Sequence, residues 1–112
     1  MERTNGSQIR PEHFRTEEKK LEFGQVLLNR DNPKSITVIN SSPVKITVVL
    51  STANRGSFII LMNSEIQVEA KSKKKVNFIC NPRKSGRFTD WLLLSVKGGG
   101  PDWKVPISGR AR

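Results

Sequence analysis

The amino-acid sequence predicts an all-β protein, folded as an antiparallel β-sandwich or barrel. Apolar residues alternate with polar ones in segments of 5–10 residues, and turn-forming Gly, Pro, Asn and Ser separate these segments. No stretch shows the apolar period of a convincing helix. At 112 residues, the chain fits one domain with a real core.

Residues 1–19 are predicted to form a flexible polar leader, and residues 20–112 the folded domain. The only large apolar residues before Leu21 are Met1, Ile9 and Phe14, so the leader has little with which to build a core. We therefore expect the first strand to begin at residue 20.

Three strands are predicted in the first half of the domain, at residues 20–29, 34–40 and 44–51. Gly24 interrupts the alternation of the first segment, which predicts an edge strand kinked at the glycine. The turns "RDNP" and "SSP" separate the three segments.

Five further strands are predicted, at residues 57–62, 66–70, 74–81, 87–97 and 103–109. Between them, "KSK" is expected to form a tight turn and "GGGPD" a hairpin loop, and Pro82 ends the strand before it because proline has no N–H. Two triplets are expected to face the core: Val76, Phe78 and Cys80, and Trp103, Val105 and Ile107. The eight segments together predict a sandwich of 7–8 strands.

The only cysteine, Cys80, rules out an intrachain disulfide and favours a reducing compartment. No apolar run approaches the roughly 20 residues that cross a membrane, and the polar N-terminus lacks the apolar block of a signal peptide. We therefore predict a soluble protein of the cytoplasm.

The net charge of +10 is concentrated late in the chain. Residues 70–112 carry eleven Lys and Arg against two Asp, whereas residues 1–69 carry nine basic and eight acidic residues. This asymmetry indicates an acidic partner, such as tubulin tails, acidic peptide motifs or phosphoinositides. Seven basic residues form the main cluster: Lys71, Lys73, Lys74, Lys75, Arg83, Lys84 and Arg87.

Other interpretations of the cluster stay open. In the sandwich, "KSKK" and "RKSG" are loops at opposite ends of one strand, so the two groups are separated by about 20 Å. One alternative is a solvated edge that blocks sheet-to-sheet aggregation, and another is a nuclear address of the "KKK" type. Nucleic-acid binding has less support, because the sequence lacks a recognition helix and a row of stacking aromatics, although non-specific binding is physically easy.

A second candidate site is apolar and lies in "DWLLLSV". Alternation sends Leu92, Leu94 and Val96 to one face and Trp91 and Leu93 to the other, and only one face can meet the core. With the first face buried, Trp91 and Leu93 point outward, and we expect Ile79 on a neighbouring strand to join them in an interface. The alternative is that Trp91 packs under the leader or a loop.

Catalysis and metal binding have no support in the sequence. His13 is the only histidine and lies in the polar leader, without a partner to orient it or a nucleophile beside it. Cys80 is expected to be a buried small hydrophobe rather than a reactive thiol. We predict a protein that is not an enzyme and needs no cofactor or metal.

Four motifs occur in order along the chain: "LEFGQVLL", "ITVINSSP", "KKVNFICNPRKSGRF" and "WKVPISGRA". In this order they resemble the ASH domain, a family named for abnormal spindle, a centrosomal spindle-defective protein and hydin. The matching residues are Leu21, Phe23 and Gly24; Thr37, Asn40 and Ser42; Val76, Phe78 and Pro82; and Val105, Ile107 and Gly109. One departure is that Pro82 lies two residues further from Phe78 than in the tightest form of the third motif.

The resemblance covers about residues 20–112 and implies an immunoglobulin-like sandwich related to major sperm protein. It also implies a non-enzymatic, monomeric interaction module of a centrosomal, spindle-pole or ciliary protein. Two alternatives stay open: an adaptor like major sperm protein that binds short acidic motifs, and a basic nucleic-acid-binding protein.

Overall fold

The computed structural model describes residues 10–54 and 58–112, and within these ranges it confirms the all-β prediction. Nine strands are present there, one more than the predicted segments, beside a three-residue 3₁₀ helix at Pro11–His13. No helix in these ranges is long and apolar enough to cross a membrane. The strands are β1 (Phe14–Thr16), β2 (Leu21–Val26), β3 (Asn32–Asn40), β4 (Ile46–Thr52), β5 (Ile59–Leu61), β6 (Glu65–Val68), β7 (Ser72–Cys80), β8 (Gly86–Val96) and β9 (Asp102–Ala111).

The strands form two sheets that enclose one core. The four-stranded sheet has the order β1-β3-β7-β5, and the five-stranded sheet has the order β2-β9-β8-β4-β6. Neighbours are antiparallel, as predicted, except that β2 runs parallel to β9. This exception arises because the chain passes from β1, at the edge of one sheet, to β2, at the edge of the other, without reversing direction.

The predicted kink at Gly24 is confirmed on the edge strand β2. The register with β9 shifts between Glu22 and Gln25, and Gly24 has a φ of +63°, a backbone conformation that costs a residue with a Cβ about 1–2 kcal/mol. Gly109 on β9 is needed for a different reason, since a Cβ there would lie 2.6 Å from Cζ of Phe88. Both glycines of the resembled motifs therefore have a physical role in the sandwich.

The core follows the predicted alternation. Phe78 and Cys80 on β7 are fully buried, as are Leu94 on β8 and Val105 on β9, while Trp103 packs at the margin. Burying one such large side chain contributes roughly 1.5–3 kcal/mol.

The leader prediction is wrong over the residues just before the first predicted strand. Phe14–Thr16 form strand β1, paired with the end of β3, and Phe14 is only 1% exposed. Trp103 Nε1 donates a hydrogen bond of 2.9 Å to Thr16 Oγ1, which ties β1 to the other sheet. The sandwich therefore begins before residue 20, and the rest of the predicted leader, residues 1–9, lies outside the described ranges.

The predicted strand bounds differ from the observed ones by up to three residues at an end, and two of these differences concern a turn and a short strand. The "KSK" turn is shorter than expected: the turn lies at residues 70–71, with Lys71 at a φ of +54°, and β7 begins at Ser72. The strand predicted at residues 57–62 is observed as Ile59–Leu61, while residue 57 lies outside the described ranges.

Asn40 at the end of β3 ties the two sheets together. Its Nδ2 donates to the carbonyl oxygens of Val44 (2.8 Å), Val68 (3.2 Å) and Glu69 (3.0 Å), and its Oδ1 accepts from the backbone N–H and the hydroxyl of Ser42. Asn40 is 1% exposed, so no water replaces these partners. The loop before β4 and the turn after β6 are thus both attached to β3 by one amide.

We predict that Asn40→Ala lowers the free energy of unfolding by about 3 kcal/mol, because several buried polar groups lose their partner. Asn40→Asp is expected to be at least as damaging, since it keeps an acceptor for Ser42 but turns a negative oxygen towards three carbonyls. Urea denaturation measures both. The matched control is Ser41→Ala at the exposed neighbour, expected within about 0.5 kcal/mol of wild type; an Asn40→Ala protein as stable as this control would contradict the prediction.

Candidate protein-binding surfaces

The outward side of the five-stranded sheet carries an apolar surface, which we call the tryptophan face: Val49, Trp91, Leu93 and Pro106. Its members are brought together by strand register, because Trp91 lies opposite Pro106 and Leu93 lies opposite Ser51 and Lys104. Trp91 is 41% exposed and Val49 36% exposed. The predicted outward orientation of Trp91 and Leu93 follows directly from the burial of Leu92 and Leu94.

A cation accompanies this surface. Lys104 Nζ lies 4.9 Å from the centroid of the Trp91 ring, within the range of a cation–π interaction. Beside it, a shallow depression of about 530 Å³ is lined by Val49, Ser51, Leu93, Asp102, Trp103 and Lys104, among others. An apolar floor with a fixed cation at its rim suits an apolar side chain followed by an acidic one.

The alternative that Trp91 packs under the leader stays a prediction, because residues 1–9 of the leader lie outside the described ranges. The tryptophan that contacts the N-terminal strand is Trp103, through its hydrogen bond to Thr16. The alternation in sequence does not distinguish the two, because both tryptophans lie in strands with an apolar run.

Ile79 does not join the tryptophan face, and this part of the prediction is wrong. It lies on β7, in the four-stranded sheet, opposite Pro33 on β3 and Ile60 on β5. Since Phe78 and Cys80 face the core, Ile79 points to the outer side of that sheet, away from Trp91. The expectation failed because it assumed that β7 and β8 are neighbours in one sheet, whereas the chain crosses between sheets at residues 81–85.

The predicted basic cluster divides into two groups, as the strand length indicated. Lys71, Lys73, Lys74 and Lys75 lie at one end of the sandwich, and we call them the lysine edge. Arg83 and Lys84 lie in the loop at the far end of β7, and Arg87 follows on β8. The lysines are not a loop as predicted, since all but Lys71 belong to β7 and pair with β3.

Two further arginines from the end of the chain, Arg110 and Arg112, lie beside Arg87. Arg87 lies directly opposite Arg110, and both line a shallow depression with Arg112, which together we call the arginine end. Glu22 is the only acidic residue in that lining, and among the described residues no carboxylate lies within 4 Å of these three guanidinium groups. Their charge is therefore available to an external anion.

The lysine edge is partly neutralised. Lys73 Nζ lies 3.2 Å from Glu17 Oε1, and Lys74 Nζ donates to the backbone carbonyl of Gln67 at 3.3 Å. Both lysines are exposed, so the ion pair contributes little stability. Lys71 and Lys75 have no ion pair among the described residues.

The two residues considered for catalysis, His13 and Cys80, lie in separate elements of the fold. His13 belongs to the 3₁₀ helix, and Cys80 is fully buried at the end of β7. Burial raises the pKa of the Cys80 thiol, and the nearby Lys34 charge opposes this only in part. The described residues contain no group of three or more His, Cys, Asp or Glu that could hold a metal ion.

No protein-family model matches this sequence, and no curated protein matches it. The fold, in contrast, occurs in solved structures. The ASH/PapD-like domain of human CEP192 (PapD-like domain 7) has a TM-score of 0.76 at 10% sequence identity, covering 100% of this chain and 94% of that chain. SSP-19, an MSP-domain protein like family member in Caenorhabditis elegans, has a TM-score of 0.64 at 11% identity, covering 83% of this chain and 95% of that chain.

A bacterial structure shares the fold as well. In the Salmonella enterica SafA pilin complex with the SafB chaperone, the matched chain has a TM-score of 0.69 at 8% identity, with 88% of this chain covered. This chain spans about half of that chain's length, 54%. The protein therefore has the immunoglobulin-like sandwich fold of the ASH, PapD-like and MSP domains, as the four motifs predicted.

Sequence reasoning missed Val49, Lys104 and Pro106 on the tryptophan face. It did indicate that Arg110 and Arg112, on or near an adjacent strand, could join the basic cluster. A signal for Val49 is present in "KITVVLS", where it breaks an otherwise polar outward face. The pairing of Arg87 with Arg110 depends on the register of the β8–β9 hairpin, which the length of the "GGGPD" loop alone does not set.

We predict that Cys80 is inert in the folded protein and that its thiol makes stability fall at alkaline pH. Because its folded pKa is raised, its contribution is complete below the unfolded pKa of about 8.5 and is lost as pH rises through the folded pKa. Urea unfolding at pH 7 and pH 10 measures the loss, which is expected to be smaller in Cys80→Ala. Reaction of native Cys80 with a thiol reagent at the rate of free cysteine would show that the burial argument is wrong.

Proposed function

We propose that this protein is a non-enzymatic protein-interaction module of a centrosomal, spindle-pole or ciliary protein, and that it docks through the tryptophan face. The observation that carries the proposal is a half-exposed tryptophan, Trp91, on an apolar sheet surface with Lys104 held over its ring. Tryptophan is enriched among the residues that dominate binding energy at protein interfaces. A large apolar surface left open on a small domain is typical of a docking site.

The distribution of charge also favours docking on the outward side of the five-stranded sheet. Lys104 lies at the rim of the tryptophan face, and the arginine end lies on the same outward side of the five-stranded sheet, towards its other end. An acidic partner would therefore be steered to this side, while the apolar contacts hold the complex. The two contributions differ in salt dependence, which allows them to be separated.

The fold comparisons support an interaction role and favour the centrosome. The CEP192 domain shares the fold over the whole chain, and the SafA–SafB structure is a complex of a pilin with a chaperone that has this fold. For the present chain, assignment to the centrosome, spindle pole or cilium, with the cytoskeleton as its surroundings, is part of our proposal.

A second candidate is an adaptor that binds short acidic motifs mainly by charge. It is favoured by the arginine end, where three guanidinium groups line one depression and none has a carboxylate within 4 Å among the described residues. In this case affinity would depend on Arg87 and Arg110 more than on Trp91, and it would fall steeply with salt.

We predict that a fluorescently tagged copy of the chain accumulates at centrosomes, spindle poles or cilia, and that Trp91→Ala weakens this at least ten-fold. The loss follows from removing a central aromatic anchor worth about 2 kcal/mol or more. Ile60→Ala is the matched control, since Ile60 is a similarly exposed apolar residue (47%) on the other sheet and should leave localisation unchanged.

The partner captured by the wild-type chain from the same dividing or ciliated cells is then tested at 50 and 300 mM salt. The proposal requires binding that changes little with salt and is lost in Trp91→Ala. Binding that collapses at 300 mM, survives Trp91→Ala and disappears in Arg87→Glu would establish the acidic-motif adaptor instead. A tagged chain spread evenly through the cell would contradict the centrosomal and ciliary assignment.

A further inference from the structure

We propose that the lysine edge is a second binding site, independent of the tryptophan face, which takes an acidic extended segment of a partner protein as an additional β-strand. This mode adds a strand to an open sheet edge through backbone hydrogen bonds, while side chains give specificity. The observations that carry it are an open stretch of β7, the direction of its backbone groups and the charge along it.

The open stretch results from the shortness of β5. β5 pairs with β7 only through Ile59–Leu61, which lie opposite Cys80, Ile79 and Phe78. On that side of β7, residues 72–77 have no neighbouring strand in the described part of the chain. Their other side is fully paired with β3.

Strand register shows which backbone groups face the open side. Asn81 N–H donates to the Phe58 carbonyl at 2.7 Å, so odd-numbered residues of this strand direct their N–H and C=O towards β5. Along the open stretch these are Lys73, Lys75 and Asn77, since such groups alternate in an antiparallel ladder. Lys73 and Lys75 offer two donors and two acceptors there, and Asn77 adds its N–H, while the Asn77 carbonyl lies beside the end of β5, where Leu61 pairs with Phe78. The stretch spans about 13 Å, enough for a strand of about five residues.

Two other edges are partly engaged by neighbouring groups, and the edge strand β2 is interrupted by its kink at Gly24. On the far side of the four-stranded sheet, Thr37 is engaged by Glu17 N–H (2.9 Å) and Glu18 Oε1 (3.0 Å), beyond the end of β1. On β6, the edge of the five-stranded sheet, Lys74 Nζ covers the carbonyl of Gln67. The open stretch of β7 therefore combines free backbone groups with a row of cations.

The positive charge of the lysine edge determines which kind of segment binds there. Lys73 and Lys75 project on the outer side of the sheet and Lys74 towards the gap between the sheets, with Glu17 as the only carboxylate paired to them in the described ranges. A second copy of this chain would place lysine against lysine, which is unfavourable, whereas acidic residues directly opposite are favourable. The same charges that keep neutral strands away thus admit an acidic one.

The gap between the sheets determines which side chains fit on the inner side of an added strand. A shallow depression of about 290 Å³ beside the open stretch is lined by apolar Met62, Ile66 and Val76 together with polar residues, among them Asn63, Glu65 and Lys74. The Glu65 carboxylate there disfavours acidic side chains on this side of an added strand. Successive side chains of an added strand point alternately to the outer side and into this depression. The structure therefore favours a segment in which acidic and apolar residues alternate.

The test uses a fluorescent, end-capped octapeptide of alternating Glu and Val, titrated with the full 112-residue chain. In antiparallel pairing, the residues opposite Lys73, Lys75 and Asn77 share their outer face, so the Glu positions also turn their N–H towards β7. N-methylation of the Glu positions is therefore expected to weaken binding at least ten-fold, and N-methylation of the Val positions less than two-fold. A Lys–Val octapeptide should not bind.

Variants of the chain test the same contact from the other side. Asn77→Pro removes one edge-facing N–H without touching the β3 ladder and should weaken binding at least five-fold, whereas Asn77→Ala keeps the N–H and should bind as wild type. Lys75→Glu should also weaken binding, and the matched reversal Arg110→Glu at the arginine end should not. Trp91→Ala should have no effect, which separates this site from the proposed docking face.

Three results would overturn the proposal: equal binding of both N-methylated peptides, which means charge attraction only; equal binding of the Lys–Val peptide; or concentration-dependent dimers of the chain that compete with the peptide. Should Asn77→Pro fail to fold, judged by its thermal unfolding, the pair of N-methylated peptides still decides the question with the wild-type chain.

Discussion

The two-residue period of a β-strand is the constraint on which both candidate surfaces depend. Each strand of the sandwich gives one set of side chains to the core and leaves the other set outside. On β8 the inward set is Leu92, Leu94 and Val96, and this leaves Trp91 exposed and Leu93 partly exposed although both are apolar. A strand that is apolar on both faces costs solubility unless a partner covers the outer one, which is the role we propose for the tryptophan face.

Much of this architecture was predictable from the sequence, because alternation and turn residues are local signals. Strand identity, the inward triplet on β7 and the kink at Gly24 all depend on neighbours within a few positions. Strand β1 was not predictable, since its three residues are stabilised by Trp103 and by pairing with Asn40, both distant in sequence. The prediction that Ile79 and Trp91 share one surface was wrong for the same reason. The two residues are close in the chain but belong to different sheets.

The network around Asn40 shows why a polar residue is retained in an otherwise apolar core. Its amide satisfies carbonyls from two separate loops, a task for which an apolar side chain has no groups. It also fixes where β3 ends and where β7 begins, since Ser72 pairs with Asn40. The lysine edge therefore begins directly opposite this buried hydrogen-bond network.

The lysine edge and the tryptophan face differ in the interaction that would hold a partner: charge at the first, burial of apolar area at the second. Exposed lysines on an open edge act against pairing with like or neutral strands and lose strength as salt rises. The tryptophan face depends instead on burial of apolar area, which salt screens hardly at all. Because the two surfaces lie on different sheets, a partner with both an acidic extended segment and an apolar anchor would have to wrap around the edge beside β6, past Gln67 and Glu65. A linker between the two elements would therefore determine whether they bind together or one at a time.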